Sequence, residues 1–211
     1  MNIKLLNVAL GIVLTATTLG ASAQKTYTSG MVAYSTEMRG QTADVKQYFT
    51  PDSTAALITL GPANVKILSN AKRDYLAVVL DVPVASLKKA GIATPAELEQ
   101  GMAALPTFTY TPTTETKQIS GFKCKKVIAK DTKTGKNYDV WITNDISVPT
   151  TAYQPYYSTI GGFPIQFTAF QQGQETVITI SAVSDQKAPA GTFAIGKDFE
   201  KGSLADLNAG G

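Results

Sequence analysis

Histidine is absent from all 211 residues. It is the side chain that ordinarily titrates near neutral pH and the commonest metal ligand, so its absence removes Ser-His-Asp triads, Cys-His dyads and histidine-containing zinc sites together. Cysteine occurs once, as Cys124. One thiol makes no internal disulfide and no cysteine zinc cluster. Neither a Gly-x-Gly-x-x-Gly fingerprint nor a phosphate loop ending in Gly-Lys-Ser/Thr is present. Charge is sparse: 17% of residues are charged and the formal net charge is +3. The lysines are spread along the chain, which argues against a nucleic-acid partner. What is abundant is apolar: 44% hydrophobic residues suffice for one sizeable core. No catalytic constellation, metal site or cofactor site is legible.

The first 23 residues have a separate logic. Lys4 precedes a mainly apolar run from Leu5 to Leu19, and Ala21-Ser22-Ala23 supplies small residues at a cleavage site. This pattern predicts a secretory signal peptide cut after Ala23, and hence a periplasmic or secreted protein. The run is too short for a stable membrane span, and no comparable run follows, so no transmembrane segment is expected after cleavage. Residues 24–211 then form a single domain.

Most of that domain reads as strand. Threonine, valine, isoleucine and aromatics are frequent and apolar positions alternate. Strands are predicted over 27–38, 43–50, 53–60, 64–70 and 74–82, with turns at Gly40, Pro51-Asp52 and 71–73. The pattern changes at "TPAELEQGMAAL" (94–105). Thr94 caps, Pro95 takes the first helical position and Glu97 completes a capping box. Leu98, Met102 and Leu105 form one helical stripe. A second short helix is expected over 85–91. Strands resume over 116–131 and 137–145 around Gly135, and over 163–170 and 175–185; the tail beyond is looser. The sum is a mainly β (α+β) fold: a strongly curved antiparallel sheet, an incomplete barrel, with the helical insert covering its open side. A hollow between sheet and helices suits a greasy ligand.

Three stretches support a resemblance. "ISGFKCKK" (119–126), "VWITNDI" (140–146) and "GGFPIQF" (161–167) resemble, in order and spacing, the signatures of secreted GLPGLI-type families, domains of unknown function. The third reads GFPIQF where the family string is GLPGLI. Those families are similar to the periplasmic lipoprotein-carrier (LolA-like) fold. The resemblance implies a half-barrel with a hydrophobic cavity and carries over no catalytic residue.

Individual residues admit two readings each. Cys124 shares a face with Phe122 and is a small core residue, with lysine activation of the thiol as the alternative. Trp141 is a core aromatic or else a cavity wall or sugar platform. Tyr153, Tyr156, Tyr157 and Phe163 crowd a proline-glycine loop, either contacting a ligand or pinning the loop. Leu98, Met102 and Leu105 are core or line a lipid cavity. Asp131, Asp139, Asp145 and Glu115 are turn or strand-end acids, which a histidine-free hydrolase would have to pair. The expected function is non-enzymatic binding of a hydrophobic molecule, a lipid or lipoprotein acyl chain. The alternative is an envelope module that binds another protein through a sheet edge or the tyrosine-rich loop.

Overall fold

The computed structural model describes residues 24–38, 40–171 and 173–209. The expected signal segment lies outside them. The chain begins with β1 (Lys25–Thr26), then β2 (Gly30–Met38), β3 (Gln41–Phe49), β4 (Ser53–Leu60), β5 (Ala63–Asn70), β6 (Leu76–Val82) and β7 (Leu87–Ile92). Helix α1 (Pro95–Ala104) leads to β8 (Phe108–Ile119), β9 (Phe122–Asp131), β10 (Asn137–Thr143) and β11 (Ile146–Ser147). The chain closes with β12 (Phe163–Gln171), β13 (Gln174–Ser184), β14 (Glu200–Ser203) and α2 (Leu204–Ala209).

Twelve strands make one sheet in the order β14-β7-β6-β5-β4-β3-β2-β13-β12-β10-β9-β8. Every neighbouring pair is antiparallel except β7–β14, which is parallel and makes the sheet mixed. The sheet is curved and does not close into a barrel. Its curvature is visible in one cavity. Ile67 on β5 and Phe167 on β12 line the same 40 Å³ space, although five strand steps separate them. On a flat sheet they would lie about 24 Å apart. The face that folds inward carries Val32 and Tyr34, Val45 and Gln47, Ala56 and Ile58, and Ile67, all matched by cross-strand register.

Close approach fixes one residue at the start of this sheet. A side chain at Gly30 would bring its Cβ to 2.1 Å from the Ser184 carbonyl oxygen, so β2 can pair with β13 only because position 30 is glycine.

The expected mainly β, open and curved fold is what the chain adopts. Several details differ. The segment expected as a short helix over 85–91 is strand β7, preceded by a single 3-10 turn over Pro83–Ala85. Pairing on both edges, with β6 and β14, outweighs the modest helical preference of its alanine and lysines. The stretch 116–131 is not one strand but a hairpin, turned at Ser120 and Gly121 with φ of 50° and 84°. The loose tail is packed: Phe193, Ile195 and Phe199 cover Ala55, Leu68, Ala77, Val79 and Ala90 on the outer face. The Lys66 ammonium donates to the carbonyls of Gly191 and Ala194 and ties the tail down.

Helix α1 forms with the expected capping box, Thr94 and Glu97 serving each other's backbone N–H. It buries no side chain. Leu98 and Leu105 are half-buried and Met102 is 41% exposed. The inner face is covered instead by the 149–162 loop, whose Ala152, Tyr157 and Ile160 join the main core with Val32, Val140, Phe163, Ile165 and Ile180.

Candidate functional site

The covering loop is held by its own chemistry. Two 3-10 turns, Thr150–Ala152 and Pro155–Tyr157, shorten it, and proline at the first position of the second presets the backbone. The Thr151 hydroxyl donates to the Thr50 carbonyl at 2.6 Å, and Gln47 Nε2 donates to the Ala152 carbonyl at 3.4 Å. Tyr157 is fully buried, stacks on Phe108 at 5.5 Å and donates its hydroxyl to the Thr168 carbonyl at 2.9 Å. The Tyr156 hydroxyl accepts the Phe170 N–H at 3.1 Å, and the Tyr110 hydroxyl donates to the Tyr156 carbonyl. Phe108, Tyr138, Tyr156, Tyr157 and Phe170 thus form one edge-and-stack cluster.

Between this loop and the inner face a hollow of 210 Å³ remains. Its walls are Tyr34, Gln47, Ala56, Ile67 and Asn70 from the sheet, Arg73 from the β5–β6 turn, and Tyr153, Gln154 and Pro155 from the loop. Beside Tyr34 lies the 40 Å³ space, lined by Val45, Ile58, Phe167 and Ile178 and by the polar Thr36, Gln171 and Thr176. Both spaces have mixed walls, polar and apolar side chains standing side by side in each. Burial pushes the Tyr34 phenol up to about 12, so it remains a neutral hydrogen-bond donor at physiological pH.

Among the residues singled out from the sequence, Tyr153 lines this hollow, in edge contact with Phe163 at 5.4 Å. Tyr157 and Phe163 border only a void of about 10 Å³ and belong to the core. Tyr156 is half-buried with its hydroxyl engaged. Trp141 lies elsewhere, under the Lys117 ammonium at 4.0 Å from its ring centre. Leu98, Met102 and Leu105 do not border the hollow. Sequence reasoning missed Tyr34, Gln47, Ile67, Asn70, Arg73 and Gln154. The first three share a face only through cross-strand register, which no linear motif encodes.

Cys124 is 1% exposed, its thiol directed at the Phe122 carbonyl at 3.5 Å, and burial pushes the thiol pKa up. That is a core residue, not an activated nucleophile. The four acids are each engaged. Lys126 bridges Glu115 at 3.0 Å and Asp139 at 2.9 Å. Asp131 closes the Gly135 turn, accepting from the Lys133 N–H and the Thr134 hydroxyl, which hold its carboxyl below the usual range. Asp145 accepts the Lys123 N–H at 2.8 Å. Among the described residues no three Cys, Asp or Glu side chains converge as metal ligands.

No family model matches the chain, and no curated protein matches it. Solved structures of PNGF-II are similar to it. The structure of PNGF-II in space group P21 is 13% identical over 86% of this chain, with a TM-score of 0.51. The same protein in space group C2 is 16% identical over 86%, with a TM-score of 0.48. In both, the match takes up 32% of the PNGF-II chain, so this chain spans about a third of that protein's length. At such identity the likeness concerns the fold alone.

Proposed function

We propose that the chain is an exported, non-enzymatic binding module that holds one small hydrophobic molecule with a polar end in the hollow under the 149–162 loop. The observation that carries this is the hollow itself, which continues into a second space and sets apolar side chains beside a few polar ones. Arg73 and Asn70 line the larger space, Val45, Ile58, Phe167 and Ile178 the smaller, and Tyr34, Ile67 and Gln154 line both. An apolar wall buries a chain, and a small number of placed polar groups fix its orientation. Size narrows the guest. A hollow of 210 Å³ is below the roughly 300–1,000 Å³ of drug-sized sites, so a single acyl chain fits the reading and a multi-chain lipid does not. The Arg73 guanidinium suits a carboxylate head. The half-barrel architecture of the LolA-like carriers, and a periplasmic or secreted address, belong to the same reading. The open curved sheet and the signal pattern support them.

The test combines native mass spectrometry of protein purified from its host with displacement of a fluorescent medium-chain fatty acid. A bound acyl species is expected, and Ile67→Glu should weaken fatty-acid binding by about tenfold or more, about 1.4 kcal/mol. Arg73→Ala should weaken binding of the acid but not of the matching alcohol. A protein recovered empty that also fails to bind the probe overturns the reading.

The partner-protein alternative gains nothing from the tyrosine loop, whose Tyr156 and Tyr157 hydroxyls are satisfied internally.

A further inference from the structure

Strand β8 stands at one end of the sheet order, away from the strands that line the hollow. Among the described residues β8 pairs only with β9, so its other side is a free edge. Pro112 and a break in register between Pro112 and Thr116 blunt the first part of that edge. The final stretch, Thr116 to Ile119, is regular, and its Lys117 is engaged with Trp141 and Gln166.

The hairpin register says which backbone groups are free. Ser120 and Gly121 form a two-residue turn with positive φ, so the flanking pair Ile119–Phe122 is hydrogen-bonded. Pairs then alternate: Gln118–Lys123 is non-hydrogen-bonded, Lys117–Cys124 bonded, Thr116–Lys125 non-bonded. Thr116 and Gln118 therefore aim their N–H and C=O groups away from β9, into open space. By the same register their side chains share a face with Lys125 and Lys123.

A 600 Å³ groove at this end of the hairpin is lined by Thr116, Gln118, Lys123, Lys125, Ile142 and Asn144, and by Lys117 and Cys124 of the other face. Its charge is mainly positive, three lysines against one carboxylate. Neither Lys123 nor Lys125 forms an ion pair among the described residues, whereas Lys126 is bridged to two carboxylates and Lys117 sits on Trp141. Asp145, the carboxylate at the groove, accepts the backbone N–H of Lys123.

We propose that the β8 edge at Thr116–Gln118 is a docking edge for an extended acidic segment of a partner protein, which adds as a strand and sets carboxylates at alternate positions over Lys125 and Lys123. A residue directly opposite Thr116 or Gln118 in an added antiparallel strand points its side chain to the groove face. The added strand lies about 10 Å from β9, two strand spacings, which a lysine and a glutamate span together. The free amides favour a peptide over an acidic polysaccharide, which can meet the lysines but cannot continue the ladder. The inference rests on the edge and not on the hollow, so either can fail without the other.

The test titrates the protein with a short synthetic peptide of alternating Glu and Thr, followed by amide NMR. The Thr116 and Gln118 amides should shift and exchange more slowly, and a Lys-Thr peptide should leave them unmoved. Lys123→Glu with Lys125→Glu should weaken binding about tenfold or more. Gln118→Pro removes an outward N–H without breaking the β8–β9 ladder and should do the same. Should Gln118→Pro lower the melting temperature, the lysine pair, altering exposed side chains only, and the slowed amide exchange together decide. Absence of any shift at saturating peptide overturns the proposal. So does peptide binding that a folded Gln118→Pro leaves intact, or capture of dextran sulfate by the lysines when the peptide is ignored.

Discussion

Tyr157 shows what a single side chain does here. It is fully buried, lies parallel to Phe108 with 9° between the rings, and gives its hydroxyl to the Thr168 carbonyl. Those contributions separate by substitution. Tyr157→Phe keeps the ring and strands one carbonyl, which costs about 1 kcal/mol. Tyr157→Ala opens a cavity beneath the loop and costs about 3–5 kcal/mol. Urea denaturation midpoints measure both; equal effects would show that packing contributes nothing beyond the hydrogen bond. The sequence made Tyr157 a ligand-contact candidate alongside Tyr153. Both stand in the same proline-glycine loop, and nothing in linear order separates them. What separates them is an acceptor on β12 for one and an open hollow for the other. Cys124 was legible for the opposite reason. Strand alternation alone puts it on the side away from Lys123 and Lys125, and it is buried there.

Among the elements, α1 and the 149–162 loop exchange the roles that their sequences suggest. The helix carries every local start signal and forms as expected, yet it buries nothing. Local signals specify that a helix exists; they do not specify where it docks. Glu97 also accepts the Ala205 N–H, which ties α1 to α2, and Lys133 donates to the carbonyls of Ala103 and Leu105 at the helix end. Thr94→Ala should therefore loosen α1 locally, by about 1 kcal/mol in helix stability. Amide exchange over 95–98 should speed up while the global melting temperature stays within about 1 °C, because no core is attached. A large fall in melting temperature would mean that α1 supports the sheet after all. The strands expected at 53–60 and 163–170 were legible, and form over Ser53–Leu60 and Phe163–Gln171. Strand β7 was not, because its "LKKAG" has helix-forming composition and only tertiary pairing decides. The Ser120-Gly121 turn was missed because serine rarely adopts positive φ.

For the whole molecule, the missing histidines and the buried phenols set the response to pH. No side chain has an ordinary pKa between 5 and 8, so stability should be level across pH 6–8. Burial pushes the phenols of Tyr34, Tyr110 and Tyr156 up to about 12. Their unfolded value is near 10, so the native state keeps protons that the unfolded chain sheds. Their stabilisation is present below pH 10 and is lost as pH rises from 10 to 12. Lys88, Lys126 and Lys136, raised by their carboxylate partners, act in the same direction. Differential scanning calorimetry should give a flat melting temperature from pH 6 to 8 and a steep fall above 10. A marked slope near neutrality would contradict this account.

The order of strands in the sheet also dictates an order in time. From β2 to β7 each strand pairs with its successor, so that half can zip up as consecutive hairpins while the chain is still emerging. The free side of β2 waits for β13: Tyr34 meets Ile180, its mate 146 positions later, only when almost the whole polypeptide is available. Until then a complete six-strand meander presents a bare flank to every other nascent copy. For a protein built this way, how quickly β13 arrives decides between one well-formed sheet and a tangle of neighbours.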